Sequence, residues 1–288
     1  FYILGIYFLY NGPNTGLFFQ LDLGLLVGIG LGGTAISIPM AIVGKHFPLS
    51  NRTIAMSFVT AVGSLGYFAS PLYTNYSLNA NGWEQTLSVF MFFLIFGLLV
   101  SYFVRSPSLN ESPEKKNDQT VSEALKEAFG TRSYILLVSG FFVCGFHITL
   151  VGTHVPKYVI DRGLEDWTAA AILSLIGLFN IFGSLLSGYL SSKMSKKIIL
   201  SAIYLLRGIS IIFFIFLPPS NLNSFSFGAS FGFLLLSTVP ATSGIVAHIF
   251  GTRYLGLLYG LVFLSHQIGS FFGAYLGGLF YDTYGSYD

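Results

Sequence analysis

Few side chains in this sequence can do chemistry, and nearly all of them sit inside long apolar runs. In the run Tyr134 to Pro156, Gly140, Cys144, His147 and His154 recur at helical spacing, so the two imidazoles share a face that small residues mark as packed against protein. Histidine titrates near neutral pH, which suits His147 and His154 to carrying a proton, although a structural hydrogen bond would use the same atoms. The run Ala169 to Leu190 places Gly177, Asn180, Gly183, Ser184 and Ser187 on one stripe. An amide such as Asn180 both donates and accepts, as recognition of a polar solute or a bond between helices would require. His266 shares a stripe with Gly273 and Gly277, and Gln267 lies beside it. Arg207 lies nine residues past Ile198, or about 13 Å into its run at a helical rise of about 1.5 Å per residue. It needs either an anionic ligand or a structural partner on a neighbouring helix. Asp22, just ahead of the run that starts at Leu23, reads as solvated at the membrane interface. Charges at mid-bilayer cost about 2.5 to 3.5 kcal/mol each, so each polar group within a run is a candidate functional residue.

Those runs are the elements that must position the polar groups. The chain is 53% hydrophobic and only 9% charged, against about 25% charged residues in soluble domains, and this balance predicts a membrane protein. Apolar stretches suited to a bilayer core of about 30 Å begin with Phe1 to Tyr10, read as the end of a span. Leu23 to Val43, Ile54 to Tyr73 and Leu87 to Val104 follow, then Tyr134 to Pro156, Ala169 to Leu190, Ile198 to Leu217, Phe225 to Phe250 and Leu255 to Tyr281. Residues Phe1 to Leu4 carry no charged leader pattern, and the chain is expected to open inside a helix rather than with a signal peptide. The polar segment 105–132 contains the run Asn110 to Asp118 and an amphipathic stretch, Val121 to Phe129. It divides an N-terminal bundle, 1–104, from a C-terminal bundle, 133–288.

Lysine and arginine sort by loop. Lys45, Arg52, Arg105, Lys115, Lys116, Lys126, Arg132, Lys193, Lys196, Lys197 and Arg253 share one side, and only Lys157 and Arg162 fall on the other. The basic excess predicts that the central loop is cytoplasmic. Pro39 with Arg52 and Pro240 with Arg253 recur 201 residues apart, as parallel-repeat transporters require. Gly24, Gly28 and Gly32, and likewise Gly269, Gly273 and Gly277, predict closely approaching helices. A net charge of +2 gives no reason to expect a nucleic-acid partner, and the lone Cys144 excludes an intrachain disulfide. No metal site, cofactor motif or ATP-binding glycine loop is present.

The segment Gly188-Tyr189-Leu190-Ser191-Ser192-Lys193-Met194-Ser195-Lys196-Lys197 resembles the basic loop of the major facilitator superfamily, with Ser192 and Ser195 in place of its Asp and Gly. Gly145-Phe146-His147, His154-Val155-Pro156-Lys157-Tyr158, Asp161-Arg162-Gly163-Leu164, Asn180-Ile181-Phe182-Gly183 and Gln267-Ile268-Gly269-Ser270-Phe271-Phe272-Gly273 look like the bacterial monocarboxylate-transporter-like branch of that family. The resemblance implies an all-α membrane fold of two six-helix bundles related by a pseudo-twofold axis. This chain would supply helices three to eleven of twelve, with Gly188, Lys193, Lys196 and Lys197 forming a gating loop. In lactate and oxalate carriers of the branch an arginine follows the glycine of Asn-x-x-Gly and binds carboxylate. Here that position is Ser184, and Asp161, which resembles the acidic coupling partner, would lack its arginine.

The expected function is secondary transport of a small organic solute, organic anions among the possibilities, by alternating access and with proton coupling. The expected setting is a monomer in a bacterial inner membrane, without cofactor or catalysis. A transporter-like sensor would share all these features. An integral-membrane enzyme working through His147, His154 or His266 would need a nucleophile or base with an orienting partner, and no local motif supplies one.

Overall fold

The computed structural model describes residues 1–13, 15–103 and 119–287, and all regular structure among them is helical. In chain order these are α1 (Tyr2–Asn11), α2 (Gly16–Phe19), a π-helical segment (Gln20–Val27), α3 (Gly28–Gly33), α4 (Ser37–His46) and α5 (Leu49–Phe103). They are followed by α6 (Val121–Gly130), α7 (Arg132–Asp161), α8 (Asp166–Lys193), α9 (Lys196–Phe216), α10 (Asn221–Leu234), α11 (Thr238–Phe250) and α12 (Leu255–Tyr284). Among the described residues, seven helical stretches are long and apolar enough to cross a membrane. Arg105, Lys115, Lys116 and the run Asn110 to Asp118 lie outside the described residues.

The apolar run Ile54 to Tyr73 and the run that starts at Leu87, as far as Phe103, are both carried by the 55-residue α5. A straight helix would hold Tyr73 and Phe90 about 25 Å apart at about 1.5 Å per residue, yet their rings meet edge to face at 5.8 Å. Thr86 Oγ1 likewise donates to Ser77 Oγ at 2.8 Å. The arms therefore run antiparallel about Gly82, whose φ of 80° is readily adopted only by a residue without a side chain. The run Phe225 to Phe250, expected as one span, lies within the single apolar stretch Asn221–Phe250, whose helix is interrupted between α10 and α11 at Leu235 to Ser237.

Packing separates the two glycine stripes. On α12 a Cβ at Gly269 would overlap the Phe142 carbonyl, one at Gly273 the Phe146 carbonyl, and one at Gly277 the His154 ring, so α12 and α7 touch backbone to backbone. The expectation of close packing along Gly24, Gly28 and Gly32 fails, because no described atom comes within 4 Å of a Cβ at any of them. The close approach in that region belongs instead to Gly30, where a Cβ would press on the backbone of Tyr2. The placement of Asp22 is also corrected. It lies in the π-helical segment, which packs against α1 at Gly5, and is only 3% exposed.

The amphipathic stretch of the central loop forms α6, opened by a capping box in which Thr120 and Glu123 bond reciprocally. Tyr134, fully buried, donates its hydroxyl to the Leu258 carbonyl at 2.8 Å and pins the start of α7 to α12.

Candidate functional site

The small stripe of α8 is what lets the chain before the central loop meet the chain after it. A Cβ at Gly177 would overlap the backbone at Tyr67 and Phe68, and one at Gly188 would overlap Ser57. Between them Asn180, 1% exposed, donates from Nδ2 to Ser64 Oγ at 2.7 Å and accepts at Oδ1 from the Leu236 N–H at 2.8 Å. That N–H is freed by the break between α10 and α11. On the α10 side a Cβ at Gly183 would overlap the Phe233 carbonyl, and Ser187 Oγ donates to the Ser237 carbonyl at 2.5 Å. Ser184 is fully buried and turns its hydroxyl back to the Ile181 carbonyl at 3.1 Å.

The same break is held from its other side by Arg207, which has no exposed surface. Its Nη2 donates to the carbonyls of Leu234, at 2.6 Å, and Leu235, while Nη1 donates to Cys144 Sγ at 3.2 Å. The guanidinium also lies 5.5 Å from the Tyr204 ring centre and 6.0 Å from that of Phe231. Its partners are thus the C-terminal carbonyls of a helix, the end that favours a cation, and no carboxylate is bonded to it among the described residues. Nε is buried without a partner.

Around this centre the sequence candidates gather. Cys144 also meets Thr238 Oγ1 at 3.4 Å and faces His266. His266, 7% exposed, stacks on Phe263 with ring centres 5.1 Å apart, and its Nδ1 donates to Gln267 Oε1 at 3.0 Å. His147 is half-buried, and its Nδ1 is buried without a partner. Tyr259, fully buried between α7 and α12, also leaves its hydroxyl unbonded. Arg207, Cys144 and His266 therefore belong to one buried polar cluster, with Gln267 on its exposed side and half-buried His147 one turn along α7 from Cys144.

His154 and Asp161 lie apart from it. His154 Nε2 donates to the Ala274 carbonyl at 2.9 Å while Nδ1 accepts from the Tyr287 hydroxyl at 2.8 Å, so both ring nitrogens are occupied in joining α7 to the end of α12. Asp161 pairs with Lys157 one turn away, at the exposed end of α7.

The two ends of the seam differ. At the Lys193 end, Ser243 Oγ donates to Met56 Sδ at 3.3 Å, and a Cβ at Gly244 would press on Thr53 and on the Lys196 side chain. Lys193 lies over the Tyr189 ring at 5.5 Å, and Lys197 is exposed. At the Asp161 end, beyond Tyr67, a cleft of about 740 Å³ separates α5 from α7 and α8. Ser70, Thr74, Asn75 and Asn79 line it from α5, Asp166 and Leu173 from α8, and no lysine or arginine is among its lining residues. The sequence reading missed these cleft residues together with Ser64 and Tyr67. A signal was present, since Ser57, Thr60 and Ser64 form a polar stripe at helical spacing, and all three prove buried.

The family model of the Major Facilitator Superfamily matches residues 1–274. The chain belongs to the Major Facilitator Superfamily. It is 26% identical over 267 residues to the uncharacterized MFS-type transporter YcxA of Bacillus subtilis, covering 88% of this chain and 64% of that protein. It is 27% identical over 229 residues to monocarboxylate transporter 6 of Mus musculus, covering 70% and 47%. The chain thus spans about half to two thirds of the length of these relatives. Among solved structures, a single-residue variant of the E. coli fucose:proton symporter FucP aligns with a TM-score of 0.68 at 14% identity, covering 99% of this chain and 76% of FucP. FucP in the outward conformation aligns at 0.70 with 16% identity, covering 99% and 75%. The major facilitator fold of an integral membrane protein, expected from the basic loop and the spacing of spans, is the fold observed.

Proposed function

We propose that this chain forms the solute pathway of a secondary transporter that moves a small organic solute by alternating access, coupled to protons. The observation that carries the reading is the asymmetry of the seam, tightly packed at the Lys193 end and open as a 740 Å³ cleft at the Asp161 end. That is the geometry of one end-state of a rocking pair of bundles, 1–104 and 133–288, whose site lies between them. The sorting of lysine and arginine makes the packed end cytoplasmic, and a monomer in a bacterial inner membrane fits the chain.

Hydroxyl and amide groups dominate the polar lining of the cleft. This favours a neutral polar solute over an organic anion, in keeping with Ser184 standing where an arginine would bind carboxylate. Proton coupling is assigned to the cluster of His147, Cys144, Arg207 and His266, with Gln267 orienting His266. His147 is the member with both partial exposure and an unbonded nitrogen. FucP, a proton symporter by name, is a precedent for coupling in this fold.

Uptake into proteoliposomes, with and without an imposed inward proton gradient, tests the assignment. The gradient should drive accumulation of a neutral polar solute such as a sugar or polyol, and His147→Ala should change the pH profile of that uptake. Gradient-independent equilibration, or an unaltered profile in the variant, would remove protons from the mechanism.

A further inference from the structure

Asp22 is a carboxylate inside the membrane fold for which the transport cycle above has no use. It is 3% exposed, its Oδ2 is buried without a hydrogen-bond partner among the described residues, and it lies in the π-helical segment Gln20–Val27. π-Helical turns are rare and collect at functional sites. An unpaired acid in so buried a place is costly unless something neutralises it.

A cavity of about 480 Å³ opens directly against this side chain, between the end of α1, the π-helical segment and the turn of α5. Its walls include the rings of Phe8, Tyr10, Phe19 and Trp83, and its second charged group is another acid, Glu84. Tyr10 and Trp83 stand 6.4 Å apart between ring centres at 58°, two faces of an incomplete aromatic enclosure. Among the described residues no lysine or arginine lines the cavity.

The chemistry of the lining selects a ligand class. A divalent metal wants six or more oxygen ligands, or a compact set of histidine, cysteine and carboxylate donors. No group of three or more His, Cys, Asp or Glu side chains is placed to hold a metal among the described residues. Aromatic faces attract a diffuse positive charge, and most strongly where water is excluded. The volume also falls within the range of small-molecule sites. We infer that Asp22, Glu84, Tyr10 and Trp83 form a binding site for a small organic ammonium ion, distinct from the His147 cluster.

Calorimetric titration of the full chain in lipid nanodiscs tests this with choline as the probe and 3,3-dimethylbutan-1-ol as its neutral isostere. Choline should bind saturably and the isostere should not. Asp22→Asn should weaken choline binding at least tenfold, and Trp83→Leu at least threefold. Should Asp22→Asn fail to fold, Glu84→Gln, at an exposed position, and Trp83→Leu decide the matter, and each should weaken binding by threefold or more. The site is refuted by an absence of saturable choline binding, by equal affinity for the isostere, or by folded variants that bind choline as tightly as the unaltered chain.

Discussion

Asn180 holds Ser64 at 2.7 Å with one end of its amide and the Leu236 N–H at 2.8 Å with the other, so a single side chain ties α5 to the break between α10 and α11. The seam between the two parts of the chain and the interruption of the helix behind it therefore share a fastener. Asn180→Ala should leave the buried Leu236 N–H without this partner, at about 1 to 3 kcal/mol, while the Ser64 hydroxyl keeps its bond to the Thr60 carbonyl at 2.8 Å. Ser64→Ala should cost less, and the double variant should show coupling of about 0.5 to 3 kcal/mol. Reversible unfolding in detergent measures both, and strictly additive effects would mean that the bond contributes nothing.

Gly177 and Gly28 make a contrasting pair. Gly177→Ala places a methyl into the backbone of Tyr67 and Phe68, whereas Gly28→Ala enters open space. Gly177→Ala is expected to sharply reduce the yield of folded protein in size-exclusion chromatography. Gly28→Ala should be neutral or stabilise by up to about 1 kcal/mol through helix propensity. Equal behaviour of the two would contradict the packing.

Arg207→Lys keeps the charge but loses the planar fork that reaches Cys144, Leu234 and Leu235 together. Its thermal midpoint should fall, and Arg207→Ala should fall further because two buried carbonyls lose their donor. A midpoint unchanged in Arg207→Ala would mean that the break needs no cation.

Glu123 supplies a pH dependence outside the membrane. Hydrogen bonds from the Thr120 N–H and hydroxyl hold its carboxyl below the ordinary value of 4.5. A depressed folded value means that the cap stabilises fully above the unfolded value and is lost as pH falls through the folded one. Relative to intrinsic exchange, the protection of the amides in the first turn of α6 should therefore fall as the pH drops below the ordinary carboxyl value of 4.5 and through the depressed one, and Glu123→Gln should abolish the change. Exchange rates in the variant that still follow pH as in the unaltered chain would assign the effect elsewhere.

Much of this architecture was readable in the sequence, because length, apolarity and the spacing of glycines are properties of one chain segment at a time. The spans and a close helix approach along Gly269, Gly273 and Gly277 were legible on that basis. What escaped depended on partners far away in sequence. The tight turn at Gly82 needed the pairing of Tyr73 with Phe90, and the break before Thr238 is held by Arg207 and Asn180 from two other helices. The burial of Asp22 accompanies packing of the π-helical segment against α1 at Gly5, which local hydropathy does not encode. Asn180, Ser184, Arg207, His154 and His266 are buried while Asp161 and Gln267 are exposed, and periodicity alone gave no means of separating the doubly bonded His154 from His147.

Alternating access is the centre of the account, and two distances measured together test it most directly. Spin labels at Asn79 and Asp166 span the open cleft, and labels at Ser50 and Ser192 span the packed end. On adding a solute that the proteoliposomes accumulate, pulsed dipolar spectroscopy should show the first distance shorten while the second lengthens. If neither distance moves, or both move in the same direction, the two parts of the chain do not rock about their seam.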